Sequence, residues 1–433
     1  MTMARASRIV CLLGALAAGG LAATHARAQA PAFPAIPLTP ETTPDNTVDW
    51  LHPFVAYQYT YDDDLFRVPS ASNYPAVNQL IPPGTSKADS INTGSAGVDG
   101  HWSLSQQSVD YGLEVDENRF IHNTDLNNTS GLAHAVWNWA VASEFSGQLG
   151  GNYSRSLAGF SDSFFFQRDI IDRQEYFANG RYQIGPRWAV YGNIDESYTK
   201  NIAAQDAESF NDLNLQTGKV GVEVATSQAN TLGAEYRFTH GHYPYQAAPA
   251  PGEQLFDPDY NENSGVVLVK YALTDKTVLN ADGGYLRRNY PNSPGIGAFS
   301  GDIWHVKVQW QATDKTSVAL TGSRDLQAYL YAQSDYFVQT GAAVQPVWVE
   351  SEKLTWVMVA SWYKQDYISS SFSQVLLGAP RNDTLSAQQA GLQYTPFNSL
   401  VFTFTYRHEL RISNQRQFGY NDSIASAGVK FKF

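Results

Sequence analysis

Cysteine is nearly absent from this 433-residue sequence, and the single one, Cys11, lies close to the N-terminus. One cysteine excludes an intramolecular disulfide. If the N-terminal segment is removed, a thiolate metal site and a thiol nucleophile are excluded too. Charged residues are also few, at 16% of the chain. Beyond the first thirty residues, no apolar run approaches the ~20 residues that a membrane-spanning helix needs.

The motifs of common enzymes are missing as well. The sequence contains no G-x-S-x-G elbow, no H-E-x-x-H pair and no phosphate-binding loop, and its nine histidines lack ligand spacing. We therefore predict no enzyme activity, no cofactor and no metal site. The net charge of −12 argues against a nucleic-acid partner, which would require a basic stripe.

The first thirty residues have the layout of a secretory signal peptide. Arg5 and Arg8 form the positive start, residues 9–23 the apolar middle, and Ala28 and Ala30 an A-x-A cleavage site. The apolar run is short and rich in glycine, which disfavours the alternative of a membrane anchor. Cleavage after Ala30 would remove three arginines and change the formal charge from −12 to about −15.

Two segments follow the predicted signal peptide. Residues 31–50 are rich in Pro and Thr and predict a disordered or extended periplasmic lead-in. Residues 51–433 show no change in composition that would mark a domain boundary. Aromatic residues reach 13% while the mean hydropathy is only −0.33. This combination is typical of a transmembrane β-barrel, whose strands alternate lipid-facing and water-facing residues.

The extended segments alternate with a period of two. Near the C-terminus, Leu400, Phe402, Phe404 and Tyr406 share one face of a predicted strand, whereas Thr403, Thr405, Arg407 and Glu409 share the other. Tight turns such as 273–276 and 312–315 separate strand pairs, and long polar connections such as 62–90 and 241–259 join the pairs to each other. Short turns at one end and long loops at the other are typical of bacterial outer-membrane barrels.

Counting these segments predicts an all-β fold. It is a transmembrane antiparallel up-and-down β-barrel of about eighteen strands, with sixteen as the nearest alternative. A soluble β-sandwich or propeller is disfavoured because soluble strands are usually shorter. Tryptophans also cluster near the strand ends, which suits membrane interfaces. They are Trp137, Trp139, Trp188, Trp304, Trp310, Trp356 and Trp362.

The C-terminal strand carries a second signal. Val429, Phe431 and Phe433 fall on one face, and the chain ends on the free phenylalanine. Outer-membrane barrels typically end this way, and the barrel-assembly machinery reads the pattern. We expect a location in the outer membrane of a Gram-negative bacterium, in contact with its lipid. An even number of strands places both termini in the periplasm.

The opening strand ends in a distinctive segment, residues 53–68, with the sequence PFVAYQYTYDDDLFRV. It resembles the start of EpsL-like outer-membrane proteins from exopolysaccharide operons, within the broader group of β-barrel porins. The resemblance implies a role in exporting or assembling an extracellular polysaccharide, with other export components as partners. Asp64 stands where the family commonly has Asn. The matching residues are Tyr61, Asp62, Asp64, Leu65, Phe66 and Arg67.

A barrel of this size encloses a water-filled lumen, so its polar face becomes the candidate functional surface. Each of these residues has the alternative role of an ordinary solvated wall residue. The pore-lining candidates are Glu114, Asp116, Asp195, Lys219, Glu223, Glu235, Arg237, Lys270, Asp282, His305, Lys307, Arg407 and Glu409.

Aromatic platforms for a sugar polymer are a further hypothesis. Phe177, Tyr191 and Tyr290 are candidates, and the segment 160–166 could fold inward as a constriction. Asp62, Asp63 and Asp64 supply oxygens for Ca²⁺, but the other spaced ligands of a loop site are missing, which favours an acidic surface turn. Three functions stay open: polysaccharide export, general solute diffusion, and a non-conducting structural or adhesion barrel.

Overall fold

The computed structural model describes residues 50–76, 79, 81, 83–161, 166–203, 212–227, 229–245, 257–293, 297–331, 334–368 and 380–433. The predicted signal peptide and all of the predicted lead-in except Trp50 lie outside these residues. Among the residues that the structure describes, no helix is long and apolar enough to cross a membrane.

The described chain forms eighteen β-strands and two short 3₁₀ turns. The strands are β1 (His52–Asp62), β2 (Asp89–Leu104), β3 (Gln107–Phe120), β4 (Asn128–Val141), β5 (Phe145–Leu157), β6 (Asp169–Ile184), β7 (Trp188–Ala203), β8 (Leu213–Ala225), β9 (Thr231–His242), β10 (Tyr260–Thr274), β11 (Thr277–Asn289), β12 (Phe299–Gln311), β13 (Thr316–Tyr331), β14 (Ser334–Ser351), β15 (Leu354–Ile368), β16 (Asn382–Phe397), β17 (Leu400–Ser413) and β18 (Tyr420–Lys432).

The strands close into a single barrel. Each strand pairs antiparallel with its sequence neighbours, and β1 pairs with β18, for example Ala56 with Lys430. Closure satisfies the edge hydrogen bonds that an open sheet would expose to lipid. Eight connections of two to five residues lie at one end of the barrel, here called the turn end. The other nine lie at the opposite end, the loop end, where all but the two-residue connection between β13 and β14 are longer. Both ends of the barrel sequence, His52 and Lys432, lie at the turn end.

The predicted fold class is confirmed, including the count of eighteen strands. The largest differences lie at the loop end. The strand predicted over 174–184 begins at Asp169, and the one predicted over 187–198 continues to Ala203. The backbone ladder between them continues through polar residues such as Asp172 paired with Lys200. Hydrophobic alternation fades in this part of the strands, so the sequence pattern ends earlier than the pairing does.

The outer face is apolar and carries two aromatic belts. Leu113, Leu149, Val220, Leu320 and Met358 are exposed between the belts. The belt near the turn end contains Trp102, Trp137, Phe145, Tyr182, Trp188, Trp310, Trp348, Tyr394, Phe397 and Phe431. The belt toward the loop end contains Tyr59, Tyr61, Tyr176, Phe238, Tyr285, Trp362 and Tyr406. Two belts enclosing an apolar band match the two interfaces of a bilayer.

Buried side chains lie on the inner side of the wall, toward the loop end. One apolar cluster joins residues of β8 and β10 to β14, among them Leu215, Val266, Leu286 and Ile303. In a second cluster, Leu65, Phe66 and Val68 of the first loop, residues 63–88, pack with Phe120, Leu126 and Phe160. Buried charged residues accompany both, for example Arg288, which is 2% exposed and pairs with Glu262. The described interior is therefore packed near the loop end.

Candidate functional site

The strand register separates the wall into two faces, since directly paired residues share a face. Phe177 pairs with Asp195, Asp195 with Thr217, and Lys219 with Arg237, whereas the exposed apolar residues occupy the alternate positions. Following this register around the barrel places all thirteen pore-lining candidates on the inner face. Their role in conduction remains a prediction.

Paired charges cover the inner face of β7 to β13. The Tyr191 hydroxyl donates to Glu235 Oε2 at 2.8 Å, and Glu235 also pairs with Arg237. Arg237 lies 3.6 Å from Asp282 Oδ2. Asp282 Oδ2 in turn lies 3.1 Å from His305 Nδ1. This part of the wall offers both signs of charge within a few ångströms.

The inner face also carries a group of lysines and a pair of acidic residues on different strands. Lys270, Asn280 and Lys307 are consecutive register partners on β10 to β12 and form a basic row. Glu114 and Asp116 lie on the inner face of β3, which is nine strands from β12 in the ring of eighteen. An acidic pair therefore stands on the wall opposite the basic row.

The first loop folds back against the inner face. Leu65 and Phe66 are 5% and 2% exposed, and they pack with Phe120 and Leu126. Phe66 also contacts Phe160 edge-on, with ring centroids 4.8 Å apart. Because Phe120 belongs to the inner face of β3, these contacts place the start of the loop inside the barrel.

In the acidic turn after β1, carboxylate oxygens accept hydrogen bonds from backbone amides of the same turn. Asp62 Oδ1 accepts from the Asp64 amide at 3.0 Å, and Asp64 Oδ1 accepts from the Val68 amide at 3.1 Å. Asp62 and Asp64 are 5% and 1% exposed, so the interpretation as a surface turn was wrong for these two residues. Among the described residues, no group of three or more His, Cys, Asp or Glu side chains could hold a metal ion.

Arg67 connects the first loop to β17 and β18, the strands that lie beside β1 on the side away from β2. Its Nη2 lies 3.1 Å from Asp422 Oδ2 on β18, and its Nε lies 3.6 Å from Glu409 Oε2 on β17. Burial disfavours the guanidinium charge and lowers the pKa of Arg67. The nearby groups Glu409, Tyr420, Asp62 and Asp422 outweigh burial, so the pKa of Arg67 is raised above its ordinary value. Arg67 also has a φ of 51°, which is uncommon for a residue other than glycine.

A second loop, between β5 and β6, reaches across the barrel mouth. Arg411 Nη1 on β17 donates to the Ser161 carbonyl at 2.5 Å. Six strand spacings separate β5 from β17 by way of β1, roughly 29 Å of wall at about 4.8 Å per strand. Phe160 and Phe166, which flank the middle of this loop, both contact Phe66. The expected inward folding of 160–166 thus agrees with the placement of its described ends, while 162–165 lie outside the described residues.

Sequence analysis missed most of the buried charges under these loops. Arg411 Nε lies 3.0 Å from Asp383 Oδ2, which also pairs with Arg381. Asp422 was missed as well. The available signal was parity within a strand: Arg411 has the same parity as Glu409 on β17, and Asp422 has the same parity as Lys430 on β18. Phe177 and Tyr191 share the inner face, whereas Tyr290 is packed against Tyr260 and Tyr336 near the loop end.

A cavity of about 940 Å³ is lined by residues of β4 to β9. Its outward-facing lining includes Ala133, Leu149, Gly151, Tyr176, Ile194 and Phe238. Phe177 and Asp195, which the strand register places on the inner face, also belong to the lining.

Residues 260–433 match the model of a family described as "Putative beta-barrel porin 2". No curated protein matches the sequence. Among solved structures, a BenF-like porin from Pseudomonas fluorescens Pf-5 is similar at 6% identity and a TM-score of 0.46, over 89% of this chain and 99% of that one. OccAB3 from Acinetobacter baumannii has 9% identity and a TM-score of 0.45, over 88% and 99%.

The siderophore receptor PirA from Acinetobacter baumannii is similar at 7% identity and a TM-score of 0.45, over 89% of this chain and 81% of that one. At such low identities and TM-scores, these similarities say nothing about a shared substrate. The family match is limited to the C-terminal part of the barrel, residues 260–433. The closed wall and its apolar outer face extend over all eighteen strands. Together they identify the chain as a porin-like outer-membrane β-barrel whose residues 260–433 are similar to that family.

Proposed function

We propose that the protein is an outer-membrane channel for small polar solutes. The observation that carries this proposal is the opposition of the acidic pair Glu114 and Asp116 to the basic row Lys270 and Lys307 across the lumen. Opposed rows of charge create a transverse field, which orients dipolar or zwitterionic solutes as they pass. The remaining candidates, from Asp195 to Glu409, add charges of both signs along the wall.

Conductance in planar lipid bilayers tests this proposal. Purified, folded protein is expected to give discrete ion-conducting steps, and proteoliposomes are expected to swell in small zwitterions such as glycine betaine. Folded protein that gives no conductance would contradict the proposal and favour a plugged structural or adhesion barrel.

Polysaccharide export is the second candidate. The resemblance of residues 53–68 to EpsL-like proteins favours it, and Phe177 and Tyr191 on the inner wall could stack against sugar rings. Deleting the gene and measuring secreted exopolysaccharide tests this role. Unchanged secretion would count against export, whereas a loss restored by the wild-type gene but not by a Phe177→Ser, Tyr191→Ser variant would support it.

We further propose that the signal peptide is cleaved after Ala30 and that both termini lie in the periplasm. Because both ends of the barrel sequence lie at the turn end, a barrel with its turn end in the periplasm has both termini there. N-terminal sequencing of the mature protein tests the cleavage site. Protease added to intact cells is expected to spare a C-terminal epitope tag and to cut it after the outer membrane is permeabilised.

A further inference from the structure

Described residues of the first loop and of the loop between β5 and β6 meet inside the mouth of the barrel. Phe66 of the first loop touches Phe160 and Phe166 of the loop between β5 and β6, with ring centroids 4.8 and 5.1 Å apart. Arg411 on β17 donates a hydrogen bond to the Ser161 carbonyl, which ties the loop between β5 and β6 to that strand. These contacts span the mouth instead of following the wall.

Asp63 and Arg67 connect the first loop to β17 and β18. The Asp63 amide donates to the Ser423 carbonyl at 3.1 Å, and Asp63 Oδ1 accepts from the Ser423 amide at 2.6 Å. Within the same loop, the Leu65 amide donates to the Lys87 carbonyl at 2.9 Å. The side-chain connection from this part of the loop to β17 and β18 is made by Arg67 with Glu409 and Asp422.

The receiving carboxylates are built into the wall. Glu409 and Asp422 are 4% and 0% exposed at their side chains, and they are direct register partners on β17 and β18. Arg407 also pairs with Glu409, and Tyr420 donates to Glu409 Oε2 at 3.4 Å. Removing the Arg67 guanidinium takes the cation away from Asp422, while Glu409 keeps its pair with Arg407. Taking one partner from a buried ion pair is costly, so the loss of Arg67 is expected to loosen the loop at this point.

We propose that Arg67 pins residues 64–69 inside the barrel, and that this pinned segment is the constriction that sets the size limit of the channel. The inference rests on the proposed channel function for its second half, whereas the pinning stands on the contacts alone. The left-handed backbone of Arg67 aims the side chain toward β17 and β18 while Leu65, Phe66 and Val68 turn into the apolar cluster.

Two measurements on one set of variants test the proposal. Arg67→Asn removes the cation and keeps a residue that tolerates the left-handed backbone. Arg67→Lys keeps the cation, and Arg119→Asn is the matched control because Arg119 pairs with the exposed Glu117 and is itself 61% exposed. Retained heat-modifiable mobility in electrophoresis shows that each variant has folded.

The first measurement is thiol labelling. In a Cys11→Ala background the only thiol is a Val68→Cys probe, whose site is 2% exposed in the folded loop. Adding Arg67→Asn is expected to raise the rate of maleimide labelling at least about tenfold, because labelling follows the local opening of the segment. Arg67→Lys is expected to have a small effect, and Arg119→Asn none.

The second measurement is single-channel conductance, together with liposome swelling in oligosaccharides of increasing length. Arg67→Asn is expected roughly to double the conductance and to admit longer oligosaccharides. Unchanged labelling would overturn the pinning. Faster labelling without a change in conductance or size limit would overturn the constriction. Absent conductance in wild type and all variants would contradict the channel function, while labelling would still decide the pinning.

Discussion

Lys87 Nζ lies 3.2 Å from Asp64 Oδ2, so the two ends of the first loop are joined by an ion pair just above the wall. The pair is asymmetric. The Asp64 side chain is 1% exposed, whereas that of Lys87 is 43% exposed. The Leu65 amide also donates to the Lys87 carbonyl, so two contacts hold the ends of the loop together at this point.

The stability of the loop is expected to fall as pH rises. Burial raises the pKa of Asp64 from 3.8 to about 7, with Lys87 acting in the opposite direction. Because the folded-state pKa lies above the unfolded one, the folded loop binds the proton more tightly. Its stability is therefore greatest below about pH 4 and declines until about pH 7. Asp64→Asn mimics the protonated form and is expected to be more stable than wild type at pH 8, by at most about 4 kcal/mol.

Labelling of the Val68→Cys probe between pH 5 and pH 8, relative to an exposed Ala71→Cys probe, measures this dependence. The normalised rate is expected to rise with pH in wild type and to rise less in Asp64→Asn. Lys87→Met removes the opposing charge and should move the rise to higher pH. The same pH dependence in wild type and Asp64→Asn would contradict the prediction.

The close approach of β10 to β11 leaves no room for a side chain at Gly284. A Cβ at Gly284 would overlap the Gly265 carbonyl oxygen and lie 2.7 Å from the Val266 Cα, and backbone atoms in a sheet cannot move aside. Gly284→Ala is expected to cost about 1–3 kcal/mol and to lower the yield of folded barrel. The control is Gly283→Ala on the same strand, where the nearest atom is Trp304 Cβ at 3.6 Å. Urea unfolding followed by tryptophan fluorescence would show no difference between the two variants if this reasoning were wrong.

Ion selectivity is expected to depend on the acidic pair of β3. Replacing Glu114 and Asp116 with Gln and Asn removes two negative charges from the inner wall, which lowers the local concentration of cations. The reversal potential in a KCl gradient should shift toward anion selectivity. Glu117→Gln on the same strand is the control, because Glu117 occupies the alternate parity. An equal shift in the control would argue against a lumen position for the pair.

Phe433 is expected to matter for assembly more than for stability. Its side chain is 70% exposed and touches Phe431 at a ring distance of 5.0 Å, so its burial stabilises the folded wall little. Phe433→Ser should lower the amount of barrel inserted by the assembly machinery in cells, while refolding in detergent stays close to wild type. Tyr285→Ser, at an outer position that is 58% exposed, is the control. Equal insertion of the two variants would contradict the assembly signal.

Much of the wall was predictable because its physics is local. Alternation places Glu235 and Arg237 opposite Tyr236 without knowledge of any partner strand, and turn residues such as Gly185 mark where hairpins reverse. The same rule assigned thirteen charged candidates to one face. The loop-end limits were less accurate, as at Asp169, since pairing there continues without hydrophobic contrast.

By itself, the amino-acid sequence determined the strand count, the two faces and the short turns, because each depends on neighbours one to four residues apart. Tertiary structure decided what fills the mouth. Arg67 meets Glu409 and Asp422 across more than 340 residues of chain, and Phe66 meets Phe160 across two hairpins. Such contacts depend on barrel closure and on loop direction, neither of which leaves a periodic trace in the sequence.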